Sequence, residues 1–106
     1  MFPVRRFAYF ARASDTELVK IGVSVDPPTR LQRLQTGCPY TLELIGTLPG
    51  GRPVEAHLHE MLTHRLERGE WYRLDLEEIE ALLDVDPAHG LAHIKEHIER
   101  TALELG

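Results

Sequence analysis

The stretch LVKIGVSVDPPTRLQRLQTG (residues 18–37) changes its period in the middle. Val19, Ile21, Val23 and Val25 alternate with Lys20, Gly22 and Ser24, which is the two-residue repeat of a half-buried strand. The apolar set is expected to face the core and Lys20 to face the other side. Asp26 then supplies a helix N-cap, and Pro27 fits the first helical position, where no N–H is needed. Leu31 and Leu34 follow at helical spacing, with Arg30 and Arg33 close by. Gly37 reads as the residue just past the helix end, and Pro39 prevents continuation. A strand, a sharp corner and a helix carrying cations are therefore expected here.

Upstream, FAYFARA (7–13) is rich in aromatic residues, and Ser14–Asp15 is a turn signal, so residues 7–25 read as a β-hairpin. The residues leave the hairpin register open, and with it whether Tyr9 and Lys20 share a face. Downstream, YTLELIGTL (40–48) reads as a third strand with Leu42, Leu44 and Gly46 on one face. PGGRP (49–53) breaks the chain. A second helix is expected from Pro53 to Arg68–Gly69, with Val54, Leu58, Met61, Leu62 and Leu66 at helical spacing. EWYRL (70–74) reads as a short extended segment, and residues 75–84 as a helix with Leu76, Ile79, Leu82 and Leu83 inward. The last helix, 90–104, carries Leu91, Ile94, Ile98 and Leu103. The order β-β-α-β-α-(β)-α-α predicts an α+β domain with a small, mostly antiparallel three-stranded sheet flanked by helices.

The length of 106 residues fits one domain, and no apolar run reaches a membrane span. Arg5, Arg6 and Arg12 interrupt the N-terminal stretch, so no export signal is read there and a cytoplasmic protein is expected. Cys38 is the single cysteine and cannot form an internal disulfide. The net charge of −5 argues weakly against nucleic acid, but it is unevenly spread. Residues 1–54 hold seven Lys/Arg against four acids, and residues 55–106 hold five against thirteen. A positive face toward phosphate is compatible with that split.

Four polar residues stand out: Tyr9, Lys20, Arg30 and Glu55. Each alone has an ordinary structural use, as a core aromatic, a snorkelling lysine, a solvated helix arginine, or an acid matching a helix dipole. Together, a phenol beside cations and a carboxylate able to hold a hard divalent ion are the parts of a metal-assisted phosphodiester hydrolase. His89, His93 and His97 recur every four residues, a spacing that can bind zinc, but a solvated helix face is the reading preferred. Trp71 and Tyr72 could stack on bases, although packing against the second helix is preferred.

The ordered set resembles the GIY-YIG nuclease superfamily, and most of all a branch of short phage and bacterial domains named after a meiotically up-regulated gene product. Phe7-Ala8-Tyr9 stands where that family has its first tripeptide, and Lys20-Ile21-Gly22 where it has its second. Arg30, eight residues past Gly22, stands at the helical arginine, and Glu55 at the metal-binding glutamate. RLQRLQTGCP (30–39), PGGRPVEAHLHEML (49–62) and RGEWYRL (68–74) resemble the branch's own marks. The first tripeptide lacks its glycine, Lys20 takes the second tyrosine's place, and no asparagine corresponds near Trp71. The likeness spans residues 5–83, leaving 84–106 as a C-terminal helical extension of the single domain 1–106.

The resemblance implies a nuclease acting on nucleic acid, expected to be DNA. Tyr9 would help activate the attacking water beside the cationic Lys20. Arg30 would stabilise the charged phosphate, and Glu55 would bind one Mg²⁺ or Mn²⁺. His59, one helical turn from Glu55, would relay a proton or touch phosphate. Arg12, Arg33 and Arg52 would contact the nucleic-acid backbone. The alternative is a catalytically silent nucleic-acid-binding or protein-interaction module on the same fold. The acidic last helix could serve as a homodimer surface, and no membrane association is expected.

Overall fold

A computed structural model describes residues 5–106. Part of the N-terminal stretch read as lacking an export signal, residues 1–4, lies outside them. The strand–corner–helix forms as its sequence directs: β2 (Leu18–Ser24) runs into α1 (Pro27–Thr36). Asp26 caps the helix by accepting from the Thr29 N–H at 3.3 Å and the Thr29 hydroxyl at 2.7 Å. That bonding also holds the Asp26 carboxyl below the usual carboxylate range. Gly37 ends the helix, but with φ −103° it does not use the left-handed region expected of it. The stop comes instead from Gln35, whose side chain donates to the Tyr40 carbonyl and accepts from the Leu42 N–H.

β1 (Phe7–Ala13) pairs with β2 as the predicted hairpin, turning at Asp15 with φ +63°. The rest of the chain adds β3 (Leu42–Pro49), α2 (Arg52–Met61), β4 (Leu66–Arg68), β5 (Trp71–Arg73), α3 (Leu76–Leu83) and α4 (Leu91–Leu105). The class is α+β as expected, but among the described residues the sheet has five strands rather than three. Their order is β3-β1-β2-β5-β4, and every pairing is antiparallel. The second helix stops at Met61, well before Arg68. Leu62 is its last buried neighbour; a single turn at Thr63–Arg65 follows, and Leu66, expected inward on a helix, lies 45 % exposed on β4.

The register settles the faces. Tyr9 lies opposite Gly22 and Ala11 opposite Lys20, so Tyr9, Ala11, Gly22 and Lys20 share one face. Ala8, Phe10, Val19 and Ile21 share the other and build the main core with Val54 and Leu58 of α2, Ile79 and Leu82 of α3, and Ile94 and Ile98 of α4. Burying each such Leu, Ile or Phe is worth about 1.5–3 kcal/mol, so this face holds the fold together. The helix read as an extension is therefore part of the same core. α1 covers the opposite face toward β3, over Tyr9 and the small Ala11 and Ala13.

The predicted faces of the third strand are corrected by a bulge. Phe10 pairs with Gly46 but Ala11 pairs with Leu44, so Ile45 is an extra residue. Leu42 and Leu44 consequently turn to the α1 face, while Gly46 and Leu48 face the core, where Leu83 fills the space a Gly46 side chain would need. Four more apolar positions expected to follow the buried pattern are exposed: Val25 at the corner, Leu76 in the first turn of α3, and Leu91 and Leu103 on α4.

Arg65 ties the distal elements together. Its guanidinium donates to both Glu78 oxygens (3.1 and 2.7 Å), to the Arg73 carbonyl (3.1 Å) and to the Leu105 carbonyl (2.8 Å). The last contact satisfies a carbonyl at the end of α4 that has no partner within the helix. Glu78 meanwhile completes a capping box with Asp75 at the start of α3.

Candidate active site

β5 is only three residues long, and its pairing with β2 ends at Lys20 opposite Trp71. Glu70 comes next. Its carbonyl accepts the Ile21 N–H at 3.1 Å, which places it at the point where the β2–β5 ladder ends. Side chains from the two faces of the sheet can meet around this end. Lys20 reaches it from the Tyr9 face, and its ammonium donates to Glu70 Oε1 at 3.0 Å. Glu55 and His59 reach it from the core face, one turn apart on α2.

His59 is the hinge of this cluster. Its Nδ1 is hydrogen-bonded to the Tyr72 hydroxyl. Its Nε2 lies 3.5 Å from Glu70 Oε2 and 3.8 Å from Glu55 Oε2. Those separations are too long for hydrogen bonds, and Nε2 is a buried nitrogen without a partner. Burial, then the charges of Glu70 and Glu55, push the Tyr72 phenol above its ordinary value, so it remains a neutral hydroxyl. One ligand atom each from Glu55, His59 and Glu70 lie within 4.8 Å of one another. An orphaned nitrogen between two carboxylates is an arrangement that a divalent ion would satisfy. The donor set of two carboxylates and one imidazole fits such an ion, with Tyr72 as the outer partner that fixes the ring.

Tyr9 is 2 % exposed and its ring lies across Gly22, where any Cβ would collide with it. The side chain is fully buried on the face that also carries Lys20, and its hydroxyl makes no hydrogen bond with a described residue. Arg30 is exposed on α1, and among the described residues its side chain makes no hydrogen bond or ion pair. Lys20, Glu55 and His59 are thus brought together, Tyr9 lies diagonally across the strand pair from Lys20, and no hydrogen bond or ion pair links Arg30 to them.

Of the three arginines expected to meet nucleic acid, Arg12 closes the hairpin by donating to the Thr16 carbonyl at 3.0 Å. Arg33 is exposed in the last turn of α1, and Arg52 is exposed as the first residue of α2. Tyr72 packs against α2 as expected, while Trp71 is half-buried on the Lys20 face. The solvated histidine face holds only in part. His97 is half-buried and bonded to the Ala81 carbonyl at 2.8 Å, whereas His89 pairs with exposed Asp86 and meets the His93 ring at a tilt of 54°.

Glu70 is the functional candidate that sequence reasoning missed. The available signal was an acid directly before a short strand in RGEWYRL, after a glycine whose φ of +56° makes the turn. Its partner Lys20 is fifty residues away in sequence, and only the β2–β5 register joins them.

Among the described residues, no helix is long and apolar enough to cross a membrane. A family model described as the T5orf172 domain matches residues 6–85. The chain belongs to this family, a GIY-YIG-like, nuclease-associated group of domains. No curated protein matches it. No solved structure matches it.

Proposed function

We propose that this T5orf172 domain is a divalent-metal-dependent endonuclease of GIY-YIG type, in or near the short phage and bacterial branch, that hydrolyses DNA phosphodiester bonds. The observation that carries the reading is the convergence of Glu55, His59, Glu70 and Lys20 at the end of β5. Glu55, His59 and Glu70 would hold one Mn²⁺ or Mg²⁺, with the imidazole nitrogen suiting Mn²⁺. Such an ion, when bound, stabilises charge on the phosphate and its leaving oxygen. This gives His59 a ligand's role in place of a proton relay.

The remaining roles belong to side chains on the other face. Tyr9, as phenolate beside the cationic Lys20, would take the proton from the attacking water and become the neutral phenol. Lys20, now held by Glu70, would move onto an arriving phosphate, whose charge competes with that of the carboxylate. Arg30 would supply a planar pair of donors to the phosphate oxygens. Arg33 and Arg52 would contact the backbone farther along; Arg12 is left out because the hairpin uses it. The silent DNA-binding reading draws support from two observations: Glu70 neutralises Lys20, and Arg30 makes no hydrogen bond or ion pair with the cluster.

The test incubates plasmid and single-stranded DNA with Mg²⁺ or Mn²⁺ and the wild type, Glu55→Ala or Arg30→Ala. The wild type should cut, and each variant should be slower by about 10²–10³-fold, as for loss of one charge-stabilising group. Mn²⁺ binding, followed by electron paramagnetic resonance, should weaken in Glu55→Ala and persist in Arg30→Ala. DNA that is bound but never cut by the wild type would establish the silent module instead.

A further inference from the structure

Arg5, Arg6 and Arg52 line one cavity of about 550 Å³, floored by Phe7, Pro49 and Gly51. That volume is typical of a small-ligand cleft, for which the range is about 300–1,000 Å³. No acidic residue lines it, although the whole chain carries a net charge of −5. Among the described residues, none of the three arginines forms an ion pair. Three guanidinium groups around one opening repel one another, and an anionic occupant relieves that repulsion. Guanidinium is also the group best matched to phosphate, which it grips with two parallel hydrogen bonds.

The backbone brings the three together. Gly50 and Gly51 have φ +108° and +63°, which lets β3 turn directly into α2. A Cβ on Gly51 would lie 3.2 Å from Arg6 Cβ, so the glycine lets Arg6, just ahead of β1, press against the helix start. Arg52 is therefore set beside Arg5 and Arg6 although more than forty residues separate them.

Arg52 and Glu55 are three residues apart on α2, hence neighbours at about 5–6 Å on its surface. A nucleic-acid strand advances about 3.4 Å per nucleotide. We propose that the cavity is a phosphodiester subsite in which Arg5, Arg6 and Arg52 hold the DNA backbone one to two nucleotides from the bond addressed by Glu55, His59 and Glu70. The register rests on the nuclease reading; the capture of phosphate does not.

The experiment measures binding of a fluorescent single-stranded DNA oligonucleotide to the full chain in EDTA, across a salt series. The wild type is compared with a triple variant, Arg5→Ala, Arg6→Ala and Arg52→Ala, and with the matching triple lysine variant; circular dichroism melts verify folding. The alanine variant should bind at least about 10-fold more weakly, and its salt slope should fall by about 2, at about 0.7 per single-strand phosphate contact. The lysine variant should recover most of the slope. One uncharged methylphosphonate linkage, placed one to two nucleotides from the cut, should weaken the wild type and leave the alanine variant unaffected. Equal affinity and slope in wild type and a folded alanine variant would overturn the subsite, and the nuclease reading would survive if plasmid is still cut. A wild type that binds through these arginines but never cuts would sink the nuclease reading and the register alone.

Discussion

Two ionic clusters lie close together in the chain and differ in how their hydrogen bonds balance. Around Arg65, one guanidinium meets Glu78 and three carbonyls, those of Arg73, Leu105 and Gly106, and the donors are used up. Around His59, two carboxylates face one lysine and an imidazole nitrogen that is buried without a partner. The first cluster is complete as it stands and locks β5, α3 and the end of α4. The second has carboxylate oxygens beyond the one that Lys20 satisfies. A balanced cluster suits a structural role, whereas spare carboxylate oxygens are what the proposed metal site would use.

Glu55→Gln keeps the shape of the side chain but removes its charge, and Mn²⁺ affinity should fall by more than the roughly 10–100-fold that an outer partner's loss costs. Isothermal titration checks this, and the melting temperature should hold or rise because a repelling carboxylate is gone. Unchanged Mn²⁺ affinity would remove the distinction between the clusters.

Arg65→Ala should do the reverse. Glu78 and the helix-end carbonyls lose a charged donor, a cost of about 1.5–3 kcal/mol reduced in part by solvent. In a domain of this size, each kcal/mol lowers Tm by about 4–8 °C. Metal binding should stay as in the wild type at temperatures where the variant is folded. Tyr72→Phe is subtler, since it removes only the hydroxyl that orients His59. Mn²⁺ affinity should drop by about 10–100-fold, the usual effect of an outer-shell partner. An unaffected affinity would mean that packing alone orients the ring.

The smallest effect concerns acid. The hydrogen bond from Arg65, against some opposing burial, holds the Glu78 carboxyl below its ordinary value of 4.5. The folded state therefore binds this proton less readily than the unfolded chain, so the stabilisation is present above about pH 4.5 and is lost as pH falls through the lower folded value. Glu78→Gln should flatten the fall of Tm in that range, by an amount worth about 1 kcal/mol or less for a pair with some exposure. A wild-type curve equally steep in the variant would place the acid sensitivity elsewhere.

What could be read in advance follows from how local each determinant is. The β2–α1 corner is written in adjacent residues: Asp26 caps, Pro27 starts and the alternating valines stop. β4 and β5 are three residues each, too short to display alternation, and Leu62 and Leu66 prolong the helical stripe of α2 into the start of β4. The same locality governs the candidate site. Glu55 and His59 are one turn apart and visible together, whereas Glu70 joins only through the pairing of β5 with β2, and Arg65 only through the packing of α4.

The bulge at Ile45 has a consequence for the molecule at high concentration. β3 is the longest strand and forms one border of the sheet, where a free row of N–H and C=O groups would invite another chain to add on. The extra residue bends that row and splits it into two short pieces, neither long enough to template much. The opposite border, β4, offers only Leu66, Glu67 and Arg68, two of them charged. Both borders of the sheet are thereby guarded against aggregation by strand addition.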